Sequence, residues 1–133
     1  MFASIGSDDQ IVFALHTAST EIVDDLRAFR TSRKLEELGF FAFAIYDHKE
    51  HTLFLARDRF GMKPLLFSKT DHGIFFASEL KALSRFPIEK EVDEKAFNAF
   101  FELSYIPSPF AIFKGTEKIP PGHFLKVSKD GIK

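Results

Sequence analysis

Residues 54–83 read FLARDRFGMKPLLFSKTDHGIFFASELKAL, and the rest of the chain is arranged around this stretch. Two apolar runs, residues 53–56 and 74–77, are each followed by a cluster that contains charged side chains. The first cluster is Arg57-Asp58-Arg59 and the second is Ser78-Glu79-Leu80-Lys81. Short apolar runs bounded by turn residues are typical of strands. The pattern therefore predicts two strands, each followed by charged residues.

The segment after the first cluster carries the residues of a tight turn. Gly61 supplies backbone freedom that a residue with a Cβ lacks, and Pro64 fixes φ and favours an extended Lys63 before it. From the residues alone, Arg57 and Asp58 form either an exposed corner with an ion pair or a buried, organised network. An exposed pair of this kind contributes little to stability.

Apolar runs separated by turn residues predict an antiparallel meander of about four strands. These strands cover residues 39–47, 52–56, 65–67 and 74–77, and a last strand is predicted at 123–127. Strand 39–47 is apolar on both faces, so we expect both faces to be covered. The residues after the last strand, 128–131, predict a linker or a final hairpin.

Helical spacing and capping residues predict helices on either side of these strands. The first helix starts at Ser7, with Gln10 in the capping-box position. The second, capped within residues 17–20, has apolar positions at helical spacing over 22–29 and extends to residue 38, with a break at 31–32. A short helix is predicted at 79–86, where Pro87 closes it. Asp93 caps a further helix. Its predicted inward stripe consists of Ala96, Phe97, Phe100 and Leu103.

The composition indicates one domain with a substantial core, since 45% of the 133 residues are hydrophobic and 18 are Phe. The net charge of -1 excludes the basic surface expected of a nucleic-acid-binding protein. No apolar run approaches the ~20 residues that a membrane span needs, and the start of the chain has no signal-peptide pattern. We therefore expect a cytoplasmic protein without nucleic-acid or membrane partners.

The chain contains no cysteine, which excludes disulfides, thiolate metal sites and a cysteine nucleophile among its own residues. His48 and His51 are three positions apart, but no array of Cys, Asp or Glu of recognised spacing surrounds them. We therefore predict no metal site.

Several motifs follow one another in a fixed order. They are GFFAFAIYD at 39–47, ARDRFGMKPL at 56–65, FASELKAL at 76–83, YIPSP at 105–109, IFKG at 112–115 and KIPPGHFL at 118–125. Together they resemble the glutaminase domain of glutamine-hydrolysing asparagine synthetases, which are class II amidotransferases with an N-terminal nucleophile. The likeness covers most of the chain from Ser7 onward. It implies an α+β fold, the α/β/β/α sandwich of antiparallel sheets typical of Ntn hydrolases, of which residues 1–133 would form one part.

The resemblance also implies the chemistry of the family. A cysteine directly after the initiator Met attacks the glutamine side-chain amide with its own α-amine as base, and an Asn side chain and a Gly N–H stabilise the oxyanion. Here Phe2 follows Met1. We therefore expect a partial domain with no catalytic residue, without the nucleophile segment and without a synthetase domain. No cofactor is expected in this chain, because ATP and Mg²⁺ would serve only the synthetase domain.

One functional residue of the family has a match here. Asp8, in Gly6-Ser7-Asp8, corresponds to the family carboxylate that holds the α-ammonium group of glutamine. A carboxylate near a helix N-terminus is also favoured electrostatically without any ligand, and Gln10 stands where the family usually has Glu. The other motif residues are interpreted as structural or interface positions: Arg57, Asp58, Gly61, Pro64, Ser78 and Glu79.

Two functions are consistent with the resemblance. The chain is either part of a glutamine-dependent asparagine synthetase, inactive by itself, or a non-catalytic amidotransferase-like module that works by binding or oligomerisation. The motif at 57–65 is also related to one in amidophosphoribosyltransferases, a more distant alternative. We expect a second copy, or a complementing amidotransferase or synthetase chain, to cover the apolar strand 39–47.

Overall fold

The computed structural model describes residues 2–5, 40–47 and 51–132. Within them the chain forms eight strands and two helices. The strands are β1 (Phe2–Ile5), β2 (Ala42–Asp47), β3 (Thr52–Arg57), β4 (Leu66–Thr70), β5 (Gly73–Ala77), β6 (Thr116–Lys118), β7 (Phe124–Ser128) and β8 (Gly131–Ile132). The helices are α1 (Leu80–Leu83) and α2 (Glu94–Leu103).

The strands form two antiparallel sheets of four strands each. Sheet I has the order β1-β5-β4-β6, and sheet II has the order β2-β3-β7-β8. The predicted single meander is therefore wrong. Its first two strands form a hairpin in sheet II and its last two form a hairpin in sheet I. Residues 58–65, here called the crossover segment, carry the chain from one sheet to the other.

A hydrophobic core fills the space between the two sheets. Sheet II contributes Ala44, Leu53 and Leu55, whereas sheet I contributes Phe67, Ile74 and Phe76. Leu55 is 0% exposed and Phe76 is 1% exposed, which marks this as the centre of the molecule. The two sheets are joined because each presents an apolar face that water disfavours.

A second core lies on the other face of sheet I. Leu66, Phe75 and Ala77 point to this face, since successive strand residues alternate sides. They pack against Leu83 of α1, and Ile88 and Ala111 complete the cluster. The described layers are thus helical segments, sheet I and sheet II, which confirms an α+β fold built on antiparallel sheets. The helices predicted over residues 7–38 lie outside the described residues.

Strand β2 is covered on both sides at its centre, as the sequence predicted. Phe43 is 6% exposed and Ala44 is 3% exposed, although their side chains point to opposite faces. The strand starts at Ala42, so the predicted start at residue 39 was too early. The last strand, predicted at 123–127, is confirmed as β7, Phe124–Ser128. Of the two alternatives for residues 128–131, the final hairpin is correct, because β7 pairs antiparallel with β8.

The two helices differ from their predictions in instructive ways. Helix α1 has four residues instead of the predicted 79–86. Its end continues as a tighter turn with hydrogen bonds between residues three apart, in which the Phe86 N–H donates to the Leu83 carbonyl (3.0 Å) just before Pro87.

None of the described helices is long and apolar enough to span a membrane.

Helix α2 starts where predicted, because Oδ1 of Asp93 accepts a hydrogen bond from the Ala96 N–H (2.9 Å). The predicted inward stripe is mostly wrong. Ala96 is fully buried, but Phe97, Phe100 and Leu103 are 47%, 48% and 49% exposed. Only a narrow side of the helix meets the described part of the chain, so its aromatic side chains face solvent.

Candidate functional site

Arg57, the last residue of β3, ties the crossover segment to a distant loop. Its Nε donates to the Lys63 carbonyl (2.7 Å) and a terminal nitrogen donates to the Gly61 carbonyl, both within the crossover segment. The other terminal nitrogen donates to the carbonyl of Ile119 (2.8 Å). Burial lowers the pKa of the Arg57 guanidinium, and the nearby Asp58 carboxylate opposes that shift. The side chain therefore bonds three backbone carbonyls, two in the crossover segment and one at Ile119.

Asp58 is 1% exposed. It is the centre of the contacts that join β3, the crossover segment and the loops at Ile119 and Gly122, here called the junction. Its Oδ1 accepts hydrogen bonds from the backbone N–H groups of Phe60 (2.8 Å) and Met62 (3.4 Å). Its own N–H donates to the Phe41 carbonyl (2.9 Å), and its carbonyl accepts from the Gly122 N–H (2.8 Å). One residue thus joins the start of sheet II, the crossover segment and the loop before β7.

The sequence left two alternatives for Arg57 and Asp58, and the exposed corner with an ion pair is wrong. Within the described residues Arg57 and Asp58 form no ion pair, because the guanidinium bonds carbonyls and the carboxylate bonds N–H groups. Oδ2 of Asp58 is buried and receives no hydrogen bond in the described part of the chain. The arrangement is a buried network organised around the backbone.

Gly61 is required by the same junction. Its φ is +64°, and a Cβ at this position would lie 2.7 Å from Cγ of Pro121. A side chain would thus meet both backbone strain and a steric clash. The prediction that Gly61 serves the turn is consistent with this geometry, and the close approach to Pro121 gives it a second reason.

Of the remaining sequence-predicted positions that the structure describes, one lies in the crossover segment and the others lie apart from it. Pro64 is exposed at the end of the crossover segment. Ser78 and Glu79 precede α1 on the outer side of sheet I, where the Glu79 carbonyl accepts from the N–H groups of Ala82 and Leu83 (3.1 Å each). Among the described residues, no hydrogen bond joins them to the crossover segment. Asp8 lies outside the described residues, so its assignment to glutamine stays a prediction.

A cleft of about 310 Å³ opens beside the junction. It is lined by Arg57, Pro64, Leu65, Leu66, Tyr105, Ile106, Pro107, Ser108 and Lys118. Lys118 was missed as a functional candidate, although it begins the KIPPGHFL motif. Its Nζ donates to the Ile106 carbonyl, and burial, with the charge of Arg57 as a smaller cause, lowers its pKa.

No group of three or more His, Cys, Asp or Glu residues in the described ranges could hold a metal ion. The junction helps to fix the relative positions of the two sheets, since its bonds to Phe41, Ile119 and Gly122 join segments that are far apart in sequence.

Comparisons with known proteins identify related chains. A family profile described as a glutamine amidotransferase domain matches residues 14–133. Glutamine-hydrolysing asparagine synthetase 3 of Bacillus subtilis is 43% identical over 96 residues, which cover 71% of this chain and 16% of that protein. A putative glutamine-hydrolysing asparagine synthetase of Mycobacterium bovis is 31% identical over 136 residues, covering 99% of this chain and 19% of that protein.

A further relative is putative asparagine synthetase 1 of Methanocaldococcus jannaschii, which is 49% identical over 113 residues, 75% of this chain and 21% of that protein. The chain therefore spans between 16% and 21% of the length of these relatives. The matched region of the family profile includes β2 to β8 and both helices. Because this match extends over most of the chain, the protein belongs to the glutamine amidotransferase domain family.

Proposed function

We propose that this chain is the scaffold portion of a glutaminase domain that serves glutamine-dependent asparagine formation in the cytoplasm. The observation that carries the proposal is the family match over residues 14–133, a region that contains the whole of sheet II and most of sheet I. The relatives reported above are named for glutamine-hydrolysing asparagine synthesis. Their names favour this branch over amidophosphoribosyltransferases.

The proposed role is to hold the parts of the glutaminase site in position, while another segment or chain supplies the nucleophile. The 133 residues contain no cysteine, so they hold no thiol to attack the glutamine amide. The junction supports a structural role, because the side chains of Arg57 and Asp58 both form hydrogen bonds with backbone groups. ATP and Mg²⁺ would be needed only where aspartate is activated, which we assign to a synthetase portion outside this chain.

Within this proposal Asp8 holds the α-ammonium group of glutamine. A carboxylate is the natural partner of that cation, since charge-assisted hydrogen bonds are stronger than neutral ones. Asp9 provides a matched control, because it has the same side chain at the next position.

The test combines catalysis and binding on the purified chain. We expect no release of ammonia from glutamine above background and no mass increase after treatment with an electrophilic glutamine analogue. Saturation-transfer NMR should detect L-glutamine binding that Asp8→Asn abolishes and Asp9→Asn preserves. Covalent labelling would contradict the scaffold role, and glutamine binding that is absent or insensitive to Asp8 would contradict the substrate assignment.

A second candidate function is a non-catalytic module that works by oligomerisation. It is favoured by the exposed aromatic side chains of α2, where Phe101 is 70% exposed beside Phe97 and Phe100. Aromatic clusters on a surface commonly mark contact sites. This function differs from the first in requiring no glutamine binding.

A further inference from the structure

The cleft beside the junction combines an apolar wall with two cationic groups. Its accessible apolar lining comes from Pro64, Ile106 and Pro107, whereas Leu65 and Leu66 are 1% and 6% exposed and form its floor. Its volume of about 310 Å³ lies at the lower end of the range found for small-molecule sites. A ligand that fits it must therefore be small and partly apolar.

We propose that this cleft binds a small organic anion, in which a carboxylate or phosphate group contacts Lys118 and Arg57 and an apolar body rests on the surrounding side chains. This function is separate from glutamine hydrolysis. It does not depend on Asp8.

The two cations retain hydrogen-bonding capacity after their contacts with the described residues are counted. A guanidinium has five N–H groups, and Arg57 donates to the carbonyls of Lys63, Gly61 and Ile119. An ammonium has three N–H groups, and Lys118 donates to the carbonyl of Ile106. Each side chain is thus held in place and still has donors for a ligand.

The charge of the cleft is unbalanced in the described part of the chain. Its lining contains two cations and no carboxylate. Asp58, the nearest acid to Arg57, is buried and directs Oδ1 to backbone N–H groups of the crossover segment. An oxyanion between Lys118 and Arg57 would relieve their mutual repulsion, which contributes to the lowered pKa of Lys118.

The remaining polar groups suit the same ligand class. Ser108 and Tyr105 also line the cleft, and a hydroxyl can donate to an oxyanion. Because Arg57 and Lys118 are already anchored to carbonyls, binding requires little additional ordering of their long side chains. The cleft is therefore prepared for a negative group at one end of a small molecule.

The test uses three probes on the isotopically labelled chain, chosen to separate the negative charge from the apolar body. Benzoate carries a carboxylate on an apolar ring, inorganic phosphate carries the charge alone, and benzyl alcohol carries the ring without charge. Backbone amide shifts at Leu65, Ile106 and Lys118 report binding. We expect saturable shifts with benzoate, weaker ones with inorganic phosphate and none with benzyl alcohol. Binding of phosphate without binding of benzoate would contradict the role given to the apolar lining.

The variant Lys118→Gln should weaken this binding by about tenfold, as expected for the loss of one charge-assisted hydrogen bond. Lys69→Gln is the matched control, because Lys69 is an exposed lysine of β4 in the same sheet and outside the cleft. Lys118→Arg keeps the charge and should retain binding, which separates a loss of contact from a loss of fold. Absence of saturable shifts, equal binding of benzyl alcohol, or unchanged anion binding in Lys118→Gln would overturn the proposal.

Discussion

At the scale of single residues, Asp58 has the most consequences for the fold. Its carboxylate is buried, and Oδ1 satisfies N–H groups of the crossover segment that would otherwise lack partners. We expect Asp58→Ala to lower the free energy of unfolding by ~2–3 kcal/mol, since buried donors left without an acceptor are costly. Asp58→Asn should cost less, because its amide oxygen can still accept from the Phe60 N–H.

Urea unfolding followed by circular dichroism measures these differences as shifts of the midpoint at constant slope. Asp71→Ala serves as the control, because Asp71 lies exposed in the turn between β4 and β5. Its loss should stay below ~0.5 kcal/mol. If Asp58→Ala cost less than ~1 kcal/mol, the side chain would behave as an exposed corner despite its burial.

The same residues show how much of the site could be predicted from sequence. The strand end at Arg57 and the turn at Gly61 were predicted, because glycine and a change from apolar to charged residues are local signals. The acceptor at Ile119 and the donor at Gly122 were not predicted. They are some sixty residues away in sequence, and local pattern gives no information on such contacts.

At the scale of elements, strand positions were predicted better than strand partners. The runs that became β2, β3, β4 and β5 were found, but their division between two sheets was not, because alternation does not say which strands pair. Strands β1 and β6 were missed. β6 has three residues, Thr116–Lys118, two of them charged, and it is a strand only because it pairs with β4.

Helix α2 allows a prediction about its two ends. Asp93 caps the start through the Ala96 N–H, and Ser104 ends the helix in the left-handed region with a φ of +62°. We expect Ser104→Gly to stabilise the helix by ~0.5–1 kcal/mol, since glycine adopts this conformation without strain. Asp93→Ala should destabilise it by ~1 kcal/mol.

Amide hydrogen exchange within α2 is the appropriate measurement, because the helix is mostly exposed and opens locally. Ser84→Gly is the control for the glycine effect. Ser84 ends α1 with a right-handed φ of -67°, so glycine brings no conformational gain there. Faster exchange in Ser104→Gly would show that the left-handed conformation is not what limits the end of this helix.

At the scale of the whole molecule, the apolar surface lies elsewhere than the sequence suggested. Strand β2 was expected to need a covering partner, but Phe43 and Ala44 are buried on its two faces. Three exposed aromatic side chains lie together on α2, whereas Phe40, Phe60, Tyr105, Phe110 and Phe124 are exposed elsewhere. The rings of Phe97 and Phe101 are 4.8 Å apart and those of Phe100 and Phe101 are 5.9 Å apart, centroid to centroid. Here these three residues are called the aromatic cluster.

The aromatic cluster leads us to expect self-association of the isolated chain. Burial of aromatic surface favours contact between copies, and a net charge of -1 offers little electrostatic repulsion against it. Sedimentation velocity at tens of micromolar, an order-of-magnitude choice, should show dimers. The double variant Phe97→Gln, Phe101→Gln should sediment as a monomer. Its fold should remain, because both side chains are already about half exposed or more.

Phe124→Gln separates a specific contact through the aromatic cluster from non-specific hydrophobic association. Phe124 is 66% exposed and lies on β7 in sheet II, so it removes a comparable apolar surface without touching the aromatic cluster. We expect this control to remain dimeric. A monomer at every concentration, or a dimer lost equally in Phe124→Gln, would show that the aromatic cluster does not drive association. Association that survives the double variant would point to the sheet edges, since β6 and β8 each have one strand neighbour in the described part of the chain.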